Sequence, residues 1–94
     1  MNGLEFERQF VQLVAEHVEA SEMTHADFGR RAFGSEGPRM WRKIRDPQNA
    51  GSPRKLTLAE AYQIADALGV EFPTLVWQIH QRVAGDSLQT PTFQ

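Results

Sequence analysis

The sequence predicts an all-α fold, a single compact domain of five helices at about residues 4–20, 24–33, 36–45, 58–68 and 72–84. Three observations predict it. Apolar residues recur at helical spacing through Leu4, Phe6, Phe10, Leu13, Val14 and Val18, and again through Leu58, Ala61, Ile64, Ala65 and Leu68. Thr57-Leu58-Ala59-Glu60 is a T-x-x-E capping box, in which hydroxyl and carboxylate each satisfy a free amide of the first turn. Helix breakers fall between the periodic segments, at Ser21–Met23, Phe33-Gly34, Asp46-Pro47 and Gly69. Ninety-four residues, 40% of them hydrophobic and including six Phe and two Trp, allow one modest core rather than a disordered chain.

Taken in order, the first helix turns its apolar stripe inward and sets Glu5, Glu7, Glu16 and Glu19 on the other side. It is longer than a minimal five-helix domain needs, which leaves its first turns free to touch a partner subunit. Thr24 caps the second helix, and Asp27 puts a negative charge near its positive end. Met23, Phe28 and Ala32 face inward. Gly29 sits in mid-helix, where glycine costs about 1 kcal/mol relative to alanine; a close crossing by the next helix supplies the reason. Gly34 is placed to end this helix in a left-handed conformation.

The third helix has two possible starts, with Ser35 as N-cap or with Gly37 as N-cap and Pro38 at the favoured first position. Its inward phase, set by Trp41 and Ile44, is the same for both. Pro47 ends it by pushing Asp46 out of the helical region. Residues 48–55, QNAGSPRK, form a polar loop. The fourth helix closes on Gly69. The fifth carries Leu75, Val76 and Ile79 on one side and Trp77 on another. Residues 85–94 show no period and read as a mobile tail outside a 1–84 domain.

Charge is unevenly spread. Arg30, Arg31, Arg39, Arg42, Lys43, Arg45, Arg54 and Lys55 lie within 26 residues that hold only Glu36 and Asp46 as acids. The remainder has Arg8 and Arg82 against ten acids, so the net −2 conceals a polar distribution. Screening at physiological salt acts over roughly 8 Å, so this local field counts for more than the sum. A helix that buries Trp41 and Ile44 while presenting Arg39, Arg42 and Lys43 suits a nucleic-acid groove.

Other chemistries find little support. The chain has no cysteine, hence no disulfide framework and no thiolate ligand or nucleophile. His17, His25 and His80 lie on different helices without ligand spacing, so no metal site or cofactor is expected. No Ser/His/Asp set, paired carboxylates or glycine-rich phosphate loop is visible, and an enzyme is not expected. The acidic N-terminus, with no long apolar run after it, points to a cytoplasmic protein without membrane association.

Three segments resemble the Cro/repressor (Xre-type, lambda-repressor-like) helix-turn-helix family. Met23-Thr24-His25-Ala26-Asp27-Phe28-Gly29 resembles that family's M-T-Q-x-E-L-A opening of the second helix. Trp41-Arg42-Lys43-Ile44 stands at the apolar-x-x-apolar pair of the recognition helix. Leu58 to Val70 is similar to the family's L-x-x-L-x-x-I-A-x-A-L-G-V segment. The likeness spans about Leu13 to Trp77. It departs at His25, where the family commonly has Gln, at Glu36, where it has a small apolar residue, and in a turn over 33–38 about two residues longer than usual. Phe33 is a candidate for the vacated apolar slot.

The resemblance implies that the third helix enters the major groove of double-stranded DNA, with Arg39, Met40, Arg42 and Lys43 as base-reading candidates. It implies phosphate contacts from Thr24, His25, Arg31, Ser52, Arg54 and Lys55. A small bacterial or phage transcriptional regulator follows as the expected function. A homodimer is expected because one short helix reads few base pairs, with Phe72, Trp77 and His80 as interface candidates. No small-molecule ligand is evident. The alternative is a protein-interaction module, a phage or antitoxin-type adaptor on the same scaffold, which would expose an apolar patch away from the cationic helix.

Overall fold

The computed structural model describes residues 2–46 and 55–88, with side chains as far as Val83. Five helices are present, α1 (Gly3–Ala20), α2 (His25–Phe33), α3 (Gly37–Arg45), α4 (Leu58–Leu68) and α5 (Phe72–Leu88), with no strand among the described residues. None of the described helices is long and apolar enough to cross a membrane.

Helix starts follow local chemistry. Thr57 and Glu60 make the reciprocal capping box, with bonds of 3.0 and 3.1 Å. Thr24 Oγ1 accepts from the Asp27 amide at 3.1 Å. Asn2 adds a cap not foreseen above: its Oδ1 accepts from the Glu5 amide at 2.8 Å while Glu5 accepts from the Asn2 amide at 3.1 Å. That box starts α1 one residue early, at Gly3. The start of α3 differs from both expectations. Glu36 is its N-cap and makes no side-chain cap bond, Gly37 is the first helical residue and Pro38 the second. Proline is tolerated there because the first-turn amides have no intrahelical acceptor.

Two glycines take positive φ. Gly69 ends α4 at φ 81°, ψ 18°, the left-handed cap expected of it. Gly34 has φ 87° but ψ −153°, not the left-handed helical pair. That region is essentially open to glycine alone.

The core draws on every helix. Phe10, Val14, Val18, Phe28, Trp41, Ile44, Ile64, Leu75 and Ile79 are the largest side chains in it, each almost wholly removed from solvent. Four expectations need correcting. Leu58 and Leu4 are not core residues: they are 76% and 64% exposed. Leu58 is the first residue of α4, and the capping box turns Glu60 rather than Leu58 toward the interior, where Glu60 is buried. Leu4 sits in the first turn of α1 and faces away from the core. Val76 is only half-buried, since Leu75 and Ile79 carry the inner stripe of α5. The last helix continues four residues past its predicted end, so residues 85–88 are helical and not part of a tail; residues 89–94 lie outside the described residues.

Gly29 meets its expected neighbour. A Cβ there would lie 2.6 Å from the carbonyl oxygen of Gly37, and a Cβ on Gly37 would overlap the carbonyl of Gly29. The α2–α3 crossing is therefore backbone on backbone, and both partners are glycine. Across the other side of α3, Arg8 of α1 donates from Nη2 to the Ile44 carbonyl at 3.2 Å. This bond satisfies one of the carbonyls left open at the helix end and brings a cation to its negative pole.

Candidate nucleic-acid interface

The inner face of α3 is built before its outer one. Trp41 is fully buried, and Phe28 meets it edge-on with centroids 5.0 Å apart at 64°. Its indole N–H donates to His25 Nδ1 at 3.1 Å. Indole can only donate, so Nδ1 must be the bare acceptor nitrogen and the ring's proton sits on Nε2. His25 Nε2 then donates to Glu19 Oε2 at 3.0 Å. A chain of two hydrogen bonds thus ties α1, α2 and α3 together through side chains. His25 was a phosphate candidate; both of its ring nitrogens have protein partners, and it braces α3 from behind.

Arg45 closes the same cluster. Its guanidinium lies 5.8 Å from the Trp41 ring centroid, a cation–π arrangement. Burial pulls its pKa down, the Glu19 carboxylate pushes it back up, Arg42 lowers it and Asp46 raises it. An arginine starts from so high a value that it remains charged at neutral pH. Its Nε is buried with no hydrogen-bond partner among the described residues.

On the outer face, Arg39, Arg42 and Lys43 are exposed and Met40 is half-buried. With about 100° between successive residues, Arg39 stands opposite the Trp41–Ile44 stripe and forms the crest, with Lys43 and Arg42 equally far from that stripe on either side. Met40 falls to one flank, while Arg42 and Arg45 fall to the other, toward α2. That second flank, together with Ala26, Pro38 and Arg39, lines a concavity of about 350 Å³. None of Arg39, Arg42 and Lys43 has an ion-pair partner among the described residues.

The phosphate candidates separate into three groups. Arg31 and Lys55 are exposed cations, and Thr24 is exposed with its hydroxyl already capping α2. His25 is engaged as above. Ser52 and Arg54 lie outside the described residues. Arg30, next to Arg31, donates to Asp27 at 2.8 Å, and this bond, with that from Thr24, holds the Asp27 carboxyl below its ordinary range.

The interface candidates also differ among themselves. Trp77 is 61% exposed. His80 is exposed with its ring 6.1 Å from that of Phe6. Phe72 is half-buried against Phe10 and Tyr62. Two residues with structural roles at α3, Arg45 and Arg8, were not singled out from the sequence. Arg45, four residues after Trp41, carried a usable signal in that spacing. Gly37, one of the two N-cap candidates, is instead half of the crossing. Arg8 reaches α3 across 36 residues, a contact no local pattern announces.

No protein-family model, curated protein or solved structure matches this chain.

Proposed function

We propose that the protein binds double-stranded DNA sequence-specifically, as a small transcriptional regulator whose helix α3 enters the major groove. One observation carries the reading. Arg39, Arg42 and Lys43 are exposed on a helix whose opposite stripe, Trp41 and Ile44, is at most 1% exposed. The cationic side is free to meet a groove, and the buried side holds it rigidly enough to read one. Arg39 on the crest, with Lys43 and Met40 on the side away from α2, are the base-reading set; arginine on guanine O6 and N7 is the commonest specific contact. Thr24, Arg31 and Lys55 contribute backbone contacts. Two copies, associating through the exposed Trp77 and His80 side of α5, would read two half-sites one helical turn apart.

Selection of bound sequences from random duplex DNA at about 150 mM salt tests this directly. An enriched palindrome supports both the DNA reading and the dimer; no enrichment sinks the specific reading. Arg39→Ala is expected to weaken the selected site by about 1–3 kcal/mol and to relax preference at one base position. Equal loss on selected and random duplexes would remove Arg39 from the reading set. Lys55→Ala is expected to weaken all sequences alike and to flatten the dependence of log K on log salt by about 0.9. An unchanged slope in the same titrations would take Lys55 out of the phosphate set.

A second reading, docking of another protein, is favoured by a different face. Leu58 and Tyr62 are 76% and 63% exposed on α4, and Leu58 borders a shallow apolar concavity with Phe6, Leu56 and Phe72. Failure of the DNA selection would shift attention to that face.

A further inference from the structure

We infer that the concavity between the first turn of α2 and the adjoining flank of α3 is a seat for one phosphate group, a backbone phosphodiester of the bound duplex, held by Arg42 and Arg45. The inference rests on the DNA-binding reading and redistributes its contacts: Arg42 grips the backbone and leaves the bases to Arg39, Met40 and Lys43. The concavity, about 350 Å³, is open to solvent, so a phosphate can enter it with its nearest waters. Its walls are Ala26 and Pro38, which offer no competing charge, and three guanidiniums spaced i, i+3, i+6 along α3. Residues three apart face the same way, and like charges so placed repel; an anion between them turns that repulsion into attraction.

Arg45 is pre-organised for the role. Its guanidinium is held over the Trp41 ring, and its buried Nε has no hydrogen-bond partner among the described residues. A rigid, forked donor of this kind suits phosphate oxygens better than a freely moving ammonium would. Two acids act on it, Glu19 and Asp46. Glu19 is already bonded to His25, and Asp46 follows the last residue of α3. The geometry also distinguishes floor from wall. A helix in the major groove meets base edges along its crest and the sugar-phosphate ridges along its flanks. Arg42 lies on the α2 side of the crest and, with Arg45, lines the concavity, while Arg39 reaches it from the crest.

Two measurements test the seat. The first follows binding of a selected and a random duplex across a salt series for the wild type, Arg42→Gln and Arg45→Met. Each variant is expected to lower the slope by about 0.9, to weaken both duplexes by the same factor, and to leave the selected sequence unchanged. Either an unchanged slope or a new base preference in Arg42→Gln overturns the seat while leaving the DNA reading intact. Arg42 is exposed, so its variant carries the test if Arg45→Met fails to fold. The second measurement follows the arginine Nε–H resonances in titrations with sodium phosphate and with sodium chloride at equal ionic strength. Saturable movement of the Arg45 resonance with phosphate alone, abolished in Arg42→Gln, is expected. Movement identical in the two salts overturns the seat. If the wild type binds no duplex at all, the DNA reading falls, and this titration alone decides whether the seat takes free phosphate.

Discussion

Trp41→Ala is expected to cost about 4 kcal/mol of folding free energy, the range for removing a large buried aromatic. The side chain is fully buried and contributes in three ways at once: edge-on packing against Phe28, a hydrogen bond to His25, and a platform for Arg45. Against a total of about 5–15 kcal/mol for a domain of this kind, the loss leaves α3 poorly anchored. Urea unfolding gives the number, and an unchanged m-value shows that it is a stability change rather than a change in the unfolded chain. Trp41→Phe separates the contributions. It removes the N–H together with the five-membered ring of the indole, so the lost hydrogen bond of about 1 kcal/mol adds to a small cavity cost, and about 2 kcal/mol is expected. A cost below about 1 kcal/mol for the alanine variant would mean that α3 is not held by this side chain.

How much of this was legible in the sequence depends on the range of the interaction. Caps at Thr24 and Thr57, the stop at Gly69 and the inward pair Trp41–Ile44 are local chemistry, and each stands where the pattern put it. Leu58 shows the limit of periodicity. It has the right spacing for the inner stripe of α4, but the first turn runs past the edge of the core and the inward place goes to Glu60. Long-range bonds were not legible. His25 could be recognised as a departure from a glutamine, yet nothing local revealed that its two nitrogens would be divided between Trp41 and Glu19. Arg45 likewise appeared only as one more charge in a cationic segment. The outward set on α3 was readable as a face, whereas its division into crest and flank required the position of α2.

The α2–α3 crossing yields a result whose sign is informative. In an unobstructed helix, Gly29→Ala should stabilise the protein by about 1 kcal/mol, because alanine is the better helix former. Here its Cβ would lie 2.6 Å from the Gly37 carbonyl oxygen and 2.9 Å from the Pro38 Cα, both backbone atoms that no side-chain rotation can clear. The helices must separate, and overpacking of this kind costs about 1–3 kcal/mol; less the propensity gain, the net effect expected is destabilisation of up to about 2 kcal/mol. Gly37→Ala is expected to cost more, about 3 kcal/mol, since its Cβ would overlap the Gly29 carbonyl and the first helical position recovers little propensity in return. The crossing also sets the angle at which Arg39 and Lys43 project. On the DNA-binding reading, whichever glycine variant remains folded should therefore lose affinity for a selected duplex by a larger factor than for a random one, because backbone contacts tolerate a shift that base contacts do not. Thermal melts of the two variants decide the structural half of this. A Gly29→Ala protein more stable than the wild type would mean that α2 and α3 do not meet backbone to backbone, and the placement of the cationic face relative to α2 would fall with it.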